Sequence, residues 1–66
     1  MQITLNGQPI TLAESVNIVD LLEELDLAGK RLAVEINEEI IPKSRHASTL
    51  LKANDSVEIV HAIGGG

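Results

Sequence analysis

The sequence predicts an α+β fold: a mixed sheet of four to five strands with one main helix packed on one face. Three observations carry this expectation. The first dozen residues alternate apolar and polar on either side of an Asn-Gly pair. One segment, residues 18–25, spaces its apolar residues for a helix face. From Leu32 onward, two-residue alternation returns in short runs separated by turn residues.

The hairpin comes first. Asn6-Gly7 suits a type I′ turn, which needs positive φ at both central residues. With these two as the loop, Leu5 faces Gln8, Ile3 faces Ile10 and Met1 faces Leu12. Met1, Ile3, Leu5, Ile10 and Leu12 then share one face, and Gln2, Thr4 and Thr11 share the other. A slip of one residue would scatter the apolar set. Pro9 lacks an N–H, which marks the second strand as an edge.

The helix opens at Asn17 as N-cap, with Asp20 completing a capping box. Val16 and Leu21 are placed to staple its entrance. Ile18, Leu21, Leu22 and Leu25 form the apolar stripe, while Asp20, Glu23, Glu24 and Asp26 fall mostly elsewhere. Gly29 is the expected left-handed stop, with Lys30 and Arg31 near the negative end of the helix dipole. In the next strand Leu32, Val34 and Ile36 share one face, and Ala33 and Glu35 the other. Asn37-Glu38 turns the chain into a short strand, Glu39 to Ile41, which Pro42 ends. Residues 43–49 have no clear period; a short turn of helix is expected before Leu50 and Leu51. Asn54 is the residue of the next turn best able to take positive φ. The last strand runs from about Ser56 to Ala62, with Val57, Ile59 and His61 on one face and Glu58, Val60 and Ala62 on the other. This order is that of the β-grasp, or ubiquitin-like, fold. There the first and last strands lie parallel in the sheet centre, and burial on both faces accounts for the apolar run of the last.

Composition removes several functions. The chain has 66 residues, enough for one domain and too few for a deep cofactor pocket. It has no cysteine, hence no disulfide, thiolate metal site or thiol nucleophile. It has no Phe, Trp or Tyr and a net charge of −5, which argues against nucleic acid and anionic membrane as partners. No run approaches the roughly 20 apolar residues of a membrane span, and no basic segment followed by an apolar run opens the chain, so a cytoplasmic location is expected. No G-x-S-x-G elbow is present. The acidic residues lack calcium-loop spacing and read as solvated faces, some able to steer a basic partner. No catalytic residue, metal site or bound cofactor is expected. His61 reads as a structural histidine near the chain end. His46, among Lys43, Arg45 and Ser48, reads as part of a solvated basic loop.

The segment that can carry chemistry is Ala62-Ile63-Gly64-Gly65-Gly66. Three glycines have no side chains to bury, and the last bears a free carboxylate. Extended, residues 62–66 reach about 17 Å. Glycine lets a backbone enter a channel where a Cβ would clash, which makes Gly64 and Gly65 the threading residues. A carboxylate is a poor electrophile, but adenylation by ATP gives it a good leaving group. A sulfur nucleophile could then displace AMP, and the expected product is a thiocarboxylate on Gly66. Val60, Ala62 and Ile63, beside this tail, are the expected partner contacts.

The sequence resembles the ThiS family of thiamine-biosynthesis sulfur carriers over essentially its whole length. The resemblance lies in Met1-Gln2-Ile3 with Asn6-Gly7, in the helix residues Asp20 to Leu27, in Ala33 to Asn37 leading to Ile40-Ile41-Pro42, and in Val57 to Ile63 before the glycines. The family's terminal Gly-Gly matches Gly65 and Gly66. Asn54 stands where relatives often have glycine. The resemblance implies that residues 1–66 form one β-grasp sulfur-carrier domain, a monomer when free, with 62–66 as a flexible tail. It implies that an E1-like adenylating enzyme (ThiF) consumes ATP to activate Gly66, that a cysteine desulfurase-derived relay supplies sulfur, and that thiazole synthase (ThiG) takes it. The protein would then be a co-substrate and not an enzyme. Two other readings are a sulfur carrier for molybdopterin synthesis and a ubiquitin-like binding module without tail chemistry.

Overall fold

The computed structural model describes residues 1–61, so the expectations placed on Ala62, Ile63, Gly64, Gly65 and Gly66 lie outside the described residues. Five strands and one helix appear in the order β1 (Gln2–Leu5), β2 (Gln8–Thr11), α1 (Ile18–Glu24), β3 (Leu32–Ile36), β4 (Glu39–Ile41), a 3₁₀ turn (Lys43–Arg45) and β5 (Ser56–His61). The sheet order is β2-β1-β5-β3-β4, with β5 parallel to β1 and antiparallel to β3. This is the β-grasp arrangement.

The hairpin has the register its apolar pattern demands. Leu5 pairs with Gln8 and Ile3 with Ile10. Asn6 (φ 49°) and Gly7 (φ 82°) both take the left-handed conformation of a type I′ turn. The Leu12 N–H donates to the Met1 carbonyl at 2.7 Å, so bonded pairs recur at Met1–Leu12, Ile3–Ile10 and Leu5–Gln8. Pro9, opposite Thr4, falls at a non-bonded position, and its missing N–H costs the ladder nothing.

Helix α1 opens on the expected capping box. Asn17 Oδ1 accepts from the Asp20 N–H at 2.7 Å, and Asp20 Oδ2 accepts from the Asn17 N–H at 3.1 Å. Ile18, Leu21 and Leu22 are buried, with Leu25 packed against the core. The helix ends earlier than the glycine suggests. Asp26 (φ 61°), and not Gly29, is the left-handed residue that stops it. The Leu27 N–H donates to the Leu22 carbonyl at 2.7 Å and the Asp26 N–H to the Glu23 carbonyl at 3.1 Å, the two bonds of a Schellman motif. The motif brings Leu27 back onto the core beside Leu22. Gly29 (φ 81°) serves the following turn, closed by the Lys30 N–H on the Leu27 carbonyl at 3.2 Å.

The core lies between α1 and one face of the sheet. Ile3, Ile18, Leu21, Val34 and Val57 are its fully buried side chains. The segment between β4 and β5 closes one end. The Leu51 N–H donates to the Val16 carbonyl at 2.9 Å, and Asn17 Nδ2 donates to the Ala47 carbonyl at 3.2 Å. This corrects the reading of His46 as solvated: it is only 6% exposed. Its Nε2 lies 3.0 Å from the Ile41 carbonyl, an acceptor, so Nε2 carries the hydrogen. The sequence concealed this because a 3₁₀ turn followed by irregular chain has no period from which to read a buried face.

Candidate functional site

The site is β5, the strand that delivers the chain to residues 62–66, together with the outer sheet face beside it. Val57 and Ile59 anchor β5 in the core, where they pair with Ile36 and Val34. Val60, on the opposite face, is 53% exposed. The apolar run of β5 is therefore not the mark of a strand buried on both faces, as the sequence suggested: the outer face carries solvent-exposed apolar groups. His61 is exposed and pairs with Leu32, and the expected contacts Ala62 and Ile63 follow it outside the described residues.

Two asparagines hold β5 from either side. The Asn6 amide clasps Ile59, with Oδ1 accepting from the Ile59 N–H at 2.9 Å and Nδ2 donating to its carbonyl at 3.4 Å. The backbone ladder between β1 and β5 covers Thr4–Ser56 and Leu5–Val57, and the Asn6 side chain prolongs it past the point where β1 turns away. On the other side Asn37 Oδ1 accepts from the Ser56 N–H at 3.0 Å, and the Asn37 N–H donates to the Ser56 carbonyl at 2.7 Å. Asn37 Nδ2 also donates to Asp55 Oδ1 at 3.0 Å, and Asp55 Oδ2 accepts from the Lys52 N–H at 2.8 Å. The sequence marks Asn6 and Asn37 as turn residues. That they also clasp β5 depends on which strand passes each turn, which the topology decides.

The outer face is apolar and acidic. Ile40, 66% exposed, sits across from Glu35, which sits across from Glu58. Val60 sits across from Ala33. Glu35 and Glu58 are like charges in directly opposed positions, an unfavourable pair that a cation laid over the face would relieve. Beside the chain's exit the molecule thus offers Val60 and Ile40 for apolar contact and two carboxylates for a basic partner surface.

Comparison with known proteins places these features in context. The ThiS family model matches residues 3–66. The sulfur carrier protein ThiS of Bacillus subtilis is 40% identical over 63 residues, spanning 94% of this chain and 96% of that protein. A thiazole synthase of Paramagnetospirillum magneticum is 39% identical over 66 residues, all of this chain but only 20% of that protein. The crystal structure of the thiamine biosynthesis protein ThiS from Geobacter metallireducens superposes with a TM-score of 0.88 at 38% identity, covering the whole of both chains.

Proposed function

Because the chain belongs to the ThiS family, we propose that it is a sulfur carrier for thiamine biosynthesis whose working atom group is the Gly66 carboxylate. The observation that carries this reading is that the family match extends through residue 66 and so includes the glycine ending. The described structure supports it by supplying a firmly held strand that leads into that ending.

The carboxylate attacks the α-phosphorus of ATP and pyrophosphate leaves, giving an acyl-adenylate. The terminal sulfur of a persulfide, derived from cysteine, attacks the acyl carbon. The carbon–oxygen bond to AMP breaks and an acyl disulfide forms. A second thiol cleaves the sulfur–sulfur bond, leaving the Gly66 thiocarboxylate and a disulfide on the thiol donors. This nucleophilic sulfur is then consumed in thiazole formation, and the carboxylate returns for another cycle. An E1-like enzyme performs the adenylation, so the carrier itself contributes no catalytic residue. Gly64 and Gly65 thread the enzyme's channel, where a Cβ would clash.

Thiazole synthase is the acceptor on this reading. The match to a fifth of a protein named thiazole synthase supports it, since a carrier-like segment within a synthase polypeptide is what successive steps on one sulfur atom favour. The net charge of −5 and the exposed Val60 suit docking on basic, partly apolar enzyme surfaces.

The test is intact-protein mass spectrometry after incubation with ATP, a cysteine-derived sulfur source and the adenylating enzyme. The expected result is a mass gain equal to exchange of one oxygen for one sulfur, located in the C-terminal fragment and absent when Gly66 is deleted. No gain with an enzyme active on another carrier would overturn the carrier reading and leave a ubiquitin-like binding module.

A further inference from the structure

A groove of about 490 Å³ opens between α1, the turn before β3 and the 3₁₀ segment. Its apolar wall includes Val19, Leu22 and Leu32, and its charged groups are Lys30, Arg31 and Lys43. The chain has ten Asp or Glu and five Lys or Arg, yet three of those five gather here and no described carboxylate lines the groove. The cations come from two separate segments, which suits several carboxylates spaced along a ligand better than one compact anion.

His46 adds a directional group. It is more than nine-tenths buried and lines the groove. Nε2 donates to the Ile41 carbonyl, so whenever the ring carries a single hydrogen Nδ1 is an acceptor, and it has no partner among the described residues. Every fully buried side-chain polar atom described has a partner, so Nδ1 touches accessible space. An acceptor on an apolar wall takes an N–H, such as a peptide group offers and an inorganic anion lacks. The absence of aromatic residues removes the stacking surface a nucleobase would use.

We propose that this groove docks an acidic peptide segment of a partner protein, with leucine-like side chains on Val19 and Leu22, carboxylates on Lys30, Arg31 and Lys43, and one backbone N–H on His46 Nδ1. Leu32 pairs with His61, so the docked segment lies beside the chain's exit from β5. This surface is distinct from the acidic outer face and carries the opposite charge. One partner can therefore recognise both faces, each by its own complementarity.

The experiment is an NMR titration of the ¹⁵N-labelled full chain with the synthetic peptide acetyl-Glu-Leu-Asp-Leu-Glu-amide, with its lysine-for-acid counterpart as control. The expected result is saturable movement of the Val19, Leu22 and Ala47 amides and of the His46 Nδ1 resonance. Binding should weaken about tenfold or more in the triple variant K30E/R31E/K43E, and likewise for the unaltered chain near 1 M salt, where the Debye length is about 3 Å. The salt measurement stands should the variant lose its fold. The proposal is overturned if the acidic peptide moves none of these resonances, if the basic peptide moves them equally, if inorganic phosphate alone reproduces the shifts, or if binding is insensitive to salt.

Discussion

Asn6 performs two tasks at one position: it adopts the left-handed conformation of the hairpin turn, and its amide clasps Ile59. Asn6→Gly keeps the first and removes the second. Each intramolecular hydrogen bond is worth about 0.5–1.5 kcal/mol net, one of these two is long, and the new glycine adds about 0.5–1 kcal/mol of unfolded-state entropy, so a loss of about 1.5–2 kcal/mol is expected in urea denaturation. The Ile59 amide should exchange with solvent faster by more than that global loss accounts for; an unchanged Ile59 rate would mean the clasp does not hold β5. Glu38 is the opposite case. At φ 71° it occupies a conformation costing an L-residue roughly 1–2 kcal/mol, with no partner described for its side chain. Glu38→Gly removes that cost but adds about 0.5–1 kcal/mol of unfolded-state entropy. A net gain of about 0.5–1 kcal/mol in denaturation midpoint analysis is expected. The left-handed positions at Asn6, Gly7 and Asn54 were legible because Asn and Gly advertise them. Asp26 and Glu38 were not, since their conformations follow from what the flanking chain buries or pairs.

Among the elements, α1 and β5 divide the work of holding the tail's base in place. Leu21 on α1 is fully buried, and Leu21→Ala should cost about 2–5 kcal/mol, read as a lowered midpoint with the hairpin's chemical shifts unchanged in the folded fraction. Across β3 and β5 the Glu35–Glu58 opposition should respond in the other direction. Glu58→Thr, β-branched and neutral, should raise stability by about 0.2–1 kcal/mol, and the gain should shrink as salt screens the pair in the parent chain. The helix stripe and the strand alternations were readable because each is a local period. The helix end was not. Gly29 looks like the stop, yet the contact that decides it is tertiary: Leu27 returns to the core beside Leu22, and the chain turns at Asp26 to allow it. The segment from Pro42 to Leu51 was the least legible, because its placement depends on isolated hydrogen bonds to Val16, Asn17 and Ile18.

At the scale of the molecule, one sheet face is spent on the core and the other is left open, with Ile40 and Val60 exposed on it. On the proposed function recognition is separable from stability, and one prediction distinguishes the two. On the proposed function Gly66→Ala should leave the thermal midpoint unchanged in a melting experiment. Adenylation, followed by pyrophosphate release, should on that function fall, because the added methyl would crowd a channel built for glycine. Normal turnover by this variant would remove the narrow channel from the account. The site was legible only in part. Alternation along β5 puts Val60 opposite the core, although its exposure was not legible, because the apolar run suggested burial on both faces; the glycine ending lies outside the described residues. The opposed glutamates were not legible because Glu35 and Glu58 become neighbours only when β3 and β5 take their register, and the basic groove was not because it joins α1, the turn before β3 and the 3₁₀ segment, which only the tertiary fold brings together.

The parallel pairing of β1 with β5 also has a mechanical side. Consider a pull on His61 directed along the β5 axis. A strand held by antiparallel and parallel neighbours in the middle of a sheet cannot be peeled away one bond at a time by such a pull. The load is shared in shear across the bonds to β3, the bonds to β1 and the two asparagine clasps. On the proposed function, an enzyme that draws the chain end into a channel could therefore pull on it while the body keeps its shape.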